Sequence, residues 1–242
     1  MTAMRLKRYP SPSGGFALGK VGVGATMLRS ILPAGARWVE YLESTGTQWI
    51  DTGYVPKIGD SVRMMFRLTR QPTDSPFDQI MGAGVGTYQF CFPTGLSLGR
   101  FYTGIWCRSW QGGAAYSAPF LQSNSIGPDY ITDFRIEHLS GSNYRLSIGA
   151  DYIDSKAMSE IDGSTEQRNL LIFRRPNVGN SWIKCYAFQL WSANSVLVRD
   201  FRPIAIGTTG YMLDLVSGEY LQYGNKGTGA FTIGPDANAP AI

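Results

Sequence analysis

Paired carboxylates are the first chemistry to look for, and the chain offers one cluster of them. Glu160, Asp162 and Glu166 fall within the run Glu160-Ile161-Asp162-Gly163-Ser164-Thr165-Glu166. A retaining glycoside hydrolase needs a nucleophile and an acid/base whose carboxyl groups stand about 5–5.5 Å apart. Gly163-Ser164-Thr165 reads as a turn, which breaks the face that two such groups must share. The cluster is therefore expected to be inert, and no catalytic residue is assigned. His138 is the only histidine, so any histidine-dependent triad or metal cluster would rest on it. It has the parity of Phe134 and Ile136, on the apolar face of its segment, and is expected to be a hydrogen-bonded, partly buried structural residue. Gly82-Ala83-Gly84-Val85-Gly86-Thr87 lacks the lysine of a phosphate-binding loop and reads as a turn. Cys91, Cys107 and Cys185 form no CxxC pair, which excludes a zinc knuckle and a redox motif. Three free thiols acting as small buried hydrophobes are expected, in a protein assembled in a reducing cytosol.

Recognition by stacking is the chemistry that remains. Tyr102, Trp106, Trp110 and Tyr116 cluster around Arg108, with Gly112-Gly113 beside them. Exposed aromatics next to polar groups suit a sugar face or a protein hot spot. The same tryptophans could equally fill the core between two sheets. Both readings stand at this point.

The elements that must position these groups are short strands. Twenty-nine glycines and thirteen prolines are spread over 242 residues, and each weakens a helix interior, by about 1 and 3 kcal/mol respectively. Hydrophobic residues at 43% and charged ones at 17% exclude a wholly disordered or coiled-coil chain. Alternation predicts strands over 38–43, 47–52, 61–68, 79–83, 88–92, 96–101, 133–139, 144–149, 181–191 and 197–201. Leu170-Leu171-Ile172-Phe173 is continuously apolar and suits a central strand. Ser140-Gly141-Ser142-Asn143 reads as a hairpin loop. Strands at this spacing, with no helical segments between them, predict an all-β sandwich.

Residues 1–37 differ in character. They are rich in Gly, Ser and Pro and carry Arg5, Lys7, Arg8, Lys20, Arg29 and Arg37 without one acidic residue, leaving the rest of the chain at a net charge of −2. The division expected is a basic arm over 1–37, one sandwich over 38–236 and a short tail over 237–242. Such an arm can dock on nucleic acid, a membrane surface or an acidic protein, and nucleic acid is the least favoured of these. Lys20 and the repeated glycines break the one apolar stretch that resembles a secretory segment. No run approaches the roughly 18–20 apolar residues of a membrane span, so no membrane insertion is expected.

Two ends of the sandwich region carry a family resemblance. Val39-Glu40-Tyr41-Leu42-Glu43-Ser44-Thr45-Gly46-Thr47-Gln48-Trp49-Ile50-Asp51-Thr52-Gly53 resembles the opening of a concanavalin A-like, laminin-G-like jelly-roll module. Val198-Arg199-Asp200-Phe201-Arg202-Pro203-Ile204, Gly210 to Gly218, and Gly227 to Asp236 resemble its closing strands. This variant is similar to modules of structural proteins of tailed phages and prophages of gut bacteria. The resemblance implies a two-sheet antiparallel jelly roll with its first and last strands adjacent. It also implies a virion location after assembly in the bacterial cytoplasm, with the arm (Arg5, Lys7, Arg8, Lys20 and Arg29) anchoring a displayed module. Other virion proteins and a host-surface glycan are the expected partners, and a homo-oligomer the expected state.

Relatives in one branch cleave β-glucans from a strand reading E-x-D-x-E or E-x-D-x-x-E. Here one residue too many separates Asp162 from Glu166, so a non-enzymatic structural or decoration protein is expected. A glycan-binding adhesin and a β-glucan-acting enzyme are the alternatives. No cofactor is expected. Some laminin-G-like modules hold structural calcium, for which Asp74, Asp78, Asp129 and Asp133 are available ligands, but no D-x-D-x-D-G loop gathers them.

Overall fold

A computed structural model describes residues 32–57, 59–70, 78–83, 90–97, 100–103, 106–107, 121–122, 131–140, 143–149, 151–157, 169–175, 178–221 and 228–240. Among the described residues every element is a strand. The first are β1 (Ala36–Trp38), β2 (Leu42–Glu43), β3 (Ile50–Asp51), β4 (Ser61–Leu68) and β5 (Asp78–Ala83). Next come β6 (Phe90–Ser97), β7 (Arg100–Thr103), β8 (Trp106–Cys107), β9 (Leu121–Gln122) and β10 (Thr132–Ser140). β11 (Asn143–Ile148), β12 (Asp151–Ala157), β13 (Leu171–Ile172), β14 (Arg174–Arg175) and β15 (Val178–Asn180) follow. The last are β16 (Ile183–Trp191), β17 (Leu197–Ile206), β18 (Thr209–Asp214), β19 (Tyr220–Leu221) and β20 (Thr232–Ile233).

The chain forms an antiparallel two-sheet sandwich of jelly-roll type. The larger sheet runs β12-β11-β10-β4-β16-β17-β18-β19, and the smaller runs β3-β13-β5-β6-β7-β9 with β8 beside β6. Alternation explains the layering. In β4, Val62, Met64, Phe66 and Leu68 are buried while the residues between them are partly open. Phe134, Phe188 and Phe201 extend that inner face across β10, β16 and β17. Ile50, Ile80, Met81 and Ile172 meet them from the smaller sheet in one continuous core. Burying each such side chain contributes about 1.5–3 kcal/mol.

Both chain ends of this region lie side by side. Leu42 pairs with Ile233 and Val39 bridges to Asp236, and the Ala237 amide donates to the Trp38 carbonyl at 3.0 Å. On its other side β1 pairs with β17, Ala36 opposite Ile206 and Trp38 opposite Ile204. Trp38, Ile204 and Leu213 form a second small core there, onto which Leu32, Ala36, Ala237 and Ala239 pack. The sandwich thus takes in residues on both outer sides of the 38–236 division. Arg37, read from sequence as part of the arm, binds Asp236 at 2.7 Å and the Gly207 carbonyl at 3.0 Å.

The motifs that carry the family resemblance are turn architecture. Ser44 Oγ donates to the Gln48 carbonyl, and the Thr45 amide donates to Gln48 Oε1 at 2.8 Å. Gly46 between them has φ +93°, and an added Cβ would lie 2.7 Å from the Trp182 indole. Asp214, almost wholly buried, accepts the amides of Asp200 and Val216 and the Ser217 hydroxyl. Gln48 also explains a departure from the expected strand over 47–52: its side chain folds back into the turn, so pairing begins only at Ile50.

Two further expectations change. The segment 38–43 is not one strand, because it leaves β17 after Trp38 and joins β16 at Leu42. The segment 96–101 is not one continuous strand: β6 ends at Ser97 and β7 begins at Arg100, and these two residues pair antiparallel. The run 170–173 does lie centrally, since β13 is flanked by β3 and β5.

Candidate functional site

Among the described residues, the outward face of the larger sheet carries a connected row of polar side chains. Register places Arg135 of β10, Arg63 of β4, Gln189 of β16 and Asp200 of β17 in one row. Alternation forces this, because the neighbours of each residue point into the core. Asp133 joins the row from β10. Arg63 donates from Nε and Nη2 to its two oxygens at 2.9 and 3.0 Å, and Arg135 Nη2 donates to Oδ2 at 3.0 Å. Arg63 Nη1 donates to Gln189 Oε1 at 3.3 Å, and Gln189 Nε2 donates to Asp200 Oδ2 at 3.1 Å. Arg202 closes the chain on Asp200 Oδ1 at 2.7 Å. Burial pushes the Asp133 carboxyl up, but its hydrogen bonds and charge contacts with Arg63 and Arg135 outweigh that and hold it below the ordinary carboxylate range.

The row opens toward β10. The Arg135 side chain is 34% exposed, whereas Arg202 and Asp200 at the other end are 16% and 8% exposed. An ion pair as open as Arg135 with Asp133 contributes about 0–1 kcal/mol, so stability gives little reason for the β10 end of the row.

Aromatics flank the row along β16. The pairing of β4 with β16 shifts between Cys185 and Ala187, leaving Tyr186 as the extra residue of a bulge. Cys185 and Phe188 stay fully buried, while Tyr186 is partly open. A bulge re-aims a side chain in this way. Tyr186 and the half-buried Trp191 then bracket Gln189, with Cα atoms about 15 Å apart at strand rise. Neighbouring rings are already engaged. Tyr41 lies between Gly234 and Lys184, whose Nζ is 4.3 Å from the ring centroid. Trp182 lies between Gly46 and Arg70, with the guanidinium 4.5 Å from its centroid. Tyr41 meets Tyr186 edge-on at 5.5 Å.

The residues singled out by sequence are distributed differently. Tyr102 of β7 pairs opposite Gly95, and Trp106 of β8 opposite Cys91, so both adjoin β6 in the smaller sheet. Arg108, Trp110 and Tyr116 lie outside the described residues, as do Arg5, Lys7, Arg8, Lys20, Arg29, Glu160, Asp162, Glu166, Asp74 and Asp129. Asp78 is in β5. Asp133, one of the available calcium ligands, accepts hydrogen bonds from Arg63 and Arg135 on its two oxygens. No group of three metal-ligating residues occurs among the described residues. His138 is partly buried at the end of β10, its Cε1 beside Gly59. Cys185 is free and fully buried, and burial pushes its thiol up to about 12. The row itself escaped the sequence reading. Its only trace there was β16, whose outward positions are aromatic or polar-aliphatic where small polar residues are usual.

No protein-family model matches the chain. No curated protein matches it either. Among solved structures the chain is similar to the Ruminococcus gnavus IT-sialidase CBM40, bound to alpha2,3 sialyllactose, with a TM-score of 0.48 and 10% identity over 69% of this chain and 94% of that one.

Proposed function

We propose that this chain is a non-catalytic jelly-roll binding module of a phage virion, which engages host-surface glycan through the outward face of its larger sheet. The observation that carries the reading is the row from Arg135 to Arg202 bracketed by Tyr186 and Trp191. Rings supply stacking surface for the apolar faces of sugars, and fixed donors and acceptors read hydroxyl groups. A span of about 15 Å accommodates two or three sugar units.

The virion assignment is supported by the resemblance of both ends of the sandwich to phage modules and by the basic arm. Ala36 and Ala237 lie at one end of the larger sheet, beside Ile206 and Trp38. An arm tethered there leaves the opposite end and the open face free for display. The arm's partner on the particle is another virion protein, and repeated copies provide avidity for a weak sugar site. No described helix is long and apolar enough to cross a membrane.

Two measurements test this. Binding of the purified protein to host cells should fall when surface glycans are removed enzymatically. A chain starting at Leu32 should remain folded yet fail to join particles in immunogold labelling. Host binding that survives glycan removal refutes the ligand, and normal incorporation without the arm refutes the anchor.

A further inference from the structure

Charge across the proposed sugar face is unbalanced. Three guanidinium groups, on Arg63, Arg135 and Arg202, share two carboxylates, those of Asp133 and Asp200. Lys184 is matched separately by Glu43, and Glu137 by Arg145. The row therefore holds a net positive charge, although the chain beyond residue 37 is net negative.

Hydrogen-bonding capacity is unbalanced in the same direction. A guanidinium carries five N–H donors and a carboxylate only accepts. Asp133 is divided between two arginines, and Arg135 uses Nε and Nη2 on it. Arg135 Nη1 and Arg202 Nη1 have no partner among the described residues. Both guanidinium planes are already oriented by the carboxylates they hold, so little side-chain entropy is lost when an acceptor arrives. Arg135 is also the most open member of the row.

We infer that the outward face of the larger sheet selects an acidic oligosaccharide, placing a sugar carboxylate or sulfate against Arg135. The inference rests on the glycan-binding reading above and narrows it to a ligand class. Both anionic groups offer a pair of acceptor oxygens that a guanidinium fork can meet with two parallel hydrogen bonds.

An array of neutral and acidic glycans tests it with the full chain and with Arg135→Gln. In that variant Asp133 keeps both contacts to Arg63, so folding is preserved and is checked by melting. Acidic glycans should bind at least about tenfold more tightly than neutral ones at low ionic strength, and the gap should narrow in high salt. Arg135→Gln should remove most of that gap by weakening acidic glycans far more than neutral ones, while Arg135→Lys restores part of it. Reducing the carboxylate of a bound glycan to the alcohol, or desulfating it, tells which anion is read. Equal binding of neutral and acidic glycans overturns the inference and leaves the glycan-binding reading standing. So does an unchanged preference in Arg135→Gln. Binding of poly-glutamate as tight as that of the acidic glycans overturns it in favour of an acidic protein partner. An array with no bound glycan at all overturns the glycan-binding reading itself.

Discussion

Tyr186 and Phe188 are two residues apart on one strand, and replacing each by alanine separates the two faces of the sheet. Phe188 points inward, is fully buried and packs 6.1 Å from the Phe201 ring. Its truncation leaves a cavity and should cost about 3–5 kcal/mol. For a domain of this size each kcal/mol moves the melting temperature by about 2–4 °C, so Phe188→Ala should melt roughly 6–20 °C lower. Tyr186 loses chiefly its edge contact with Tyr41 at 5.5 Å. That contact is worth about 0.5–1.5 kcal/mol, a shift of roughly 1–6 °C. Truncating a binding hot spot costs about 2 kcal/mol or more of affinity, roughly a thirtyfold loss. Scanning calorimetry and a host-cell binding titration on both variants read the two effects independently. Tyr186→Ala should weaken binding roughly thirtyfold or more with little loss of stability, and Phe188→Ala should lose stability while the folded protein still binds. A Tyr186→Ala protein that melts as low as Phe188→Ala while binding normally would return the ring to the core and remove the site.

Three other outcomes follow from the geometry. Gly234→Ala should destabilise the protein by chemical denaturation, because its Cβ would lie 2.9–3.0 Å from the Tyr41 ring, whose other side is held by Lys184. Asp133 has a depressed folded-state pKa, so its contribution is present above the ordinary value near 3.8 and is lost as pH falls through the lower folded value; melting scans from pH 5 to 2 should show a shallower acid decline for Asp133→Asn. The Cys185 thiol, fully buried and pushed up to about 12, should resist iodoacetamide at pH 8 and alkylate only in denaturant, as read by mass spectrometry of the peptide.

The strands were legible in the sequence wherever one face is buried and the other wet. β4 and β10 follow their period-2 pattern almost to the residue. Legibility failed where a strand changes partner or turns tightly. Trp38 to Glu43 alternates throughout, but nothing local states that β17 hands the chain over to β16 at Val39. Leu96 to Phe101 likewise alternates across the change from β6 to β7. The polar row was hidden for a different reason. Arg63 meets Asp133 and Gln189 from 70 and 126 residues away, and only register brings such groups together. The bulge at Tyr186 has no signature in residue type, since it exists only relative to β4. What a reader of the sequence notices instead are Ser44-Thr45-Gly46-Thr47-Gln48 and Asp214-Leu215-Val216-Ser217-Gly218, whose side chains build turns. Those motifs report the fold and are silent about the ligand.

The closure of Leu42 on Ile233 has a consequence for how the protein is made. The first strands leave the ribosome with Trp38, Val39 and Leu42 uncovered, and the segment that covers them is synthesised after every other described strand of the sandwich. Contacts between such distant parts of a chain form slowly, and waiting apolar surface invites wrong partners. The sandwich is therefore completed only once Thr232 to Ala239 have emerged and can reach back to the opening strands. A message cut short before Thr232 would yield, instead of a slightly shorter module, a nascent chain whose opening strand never finds its cover.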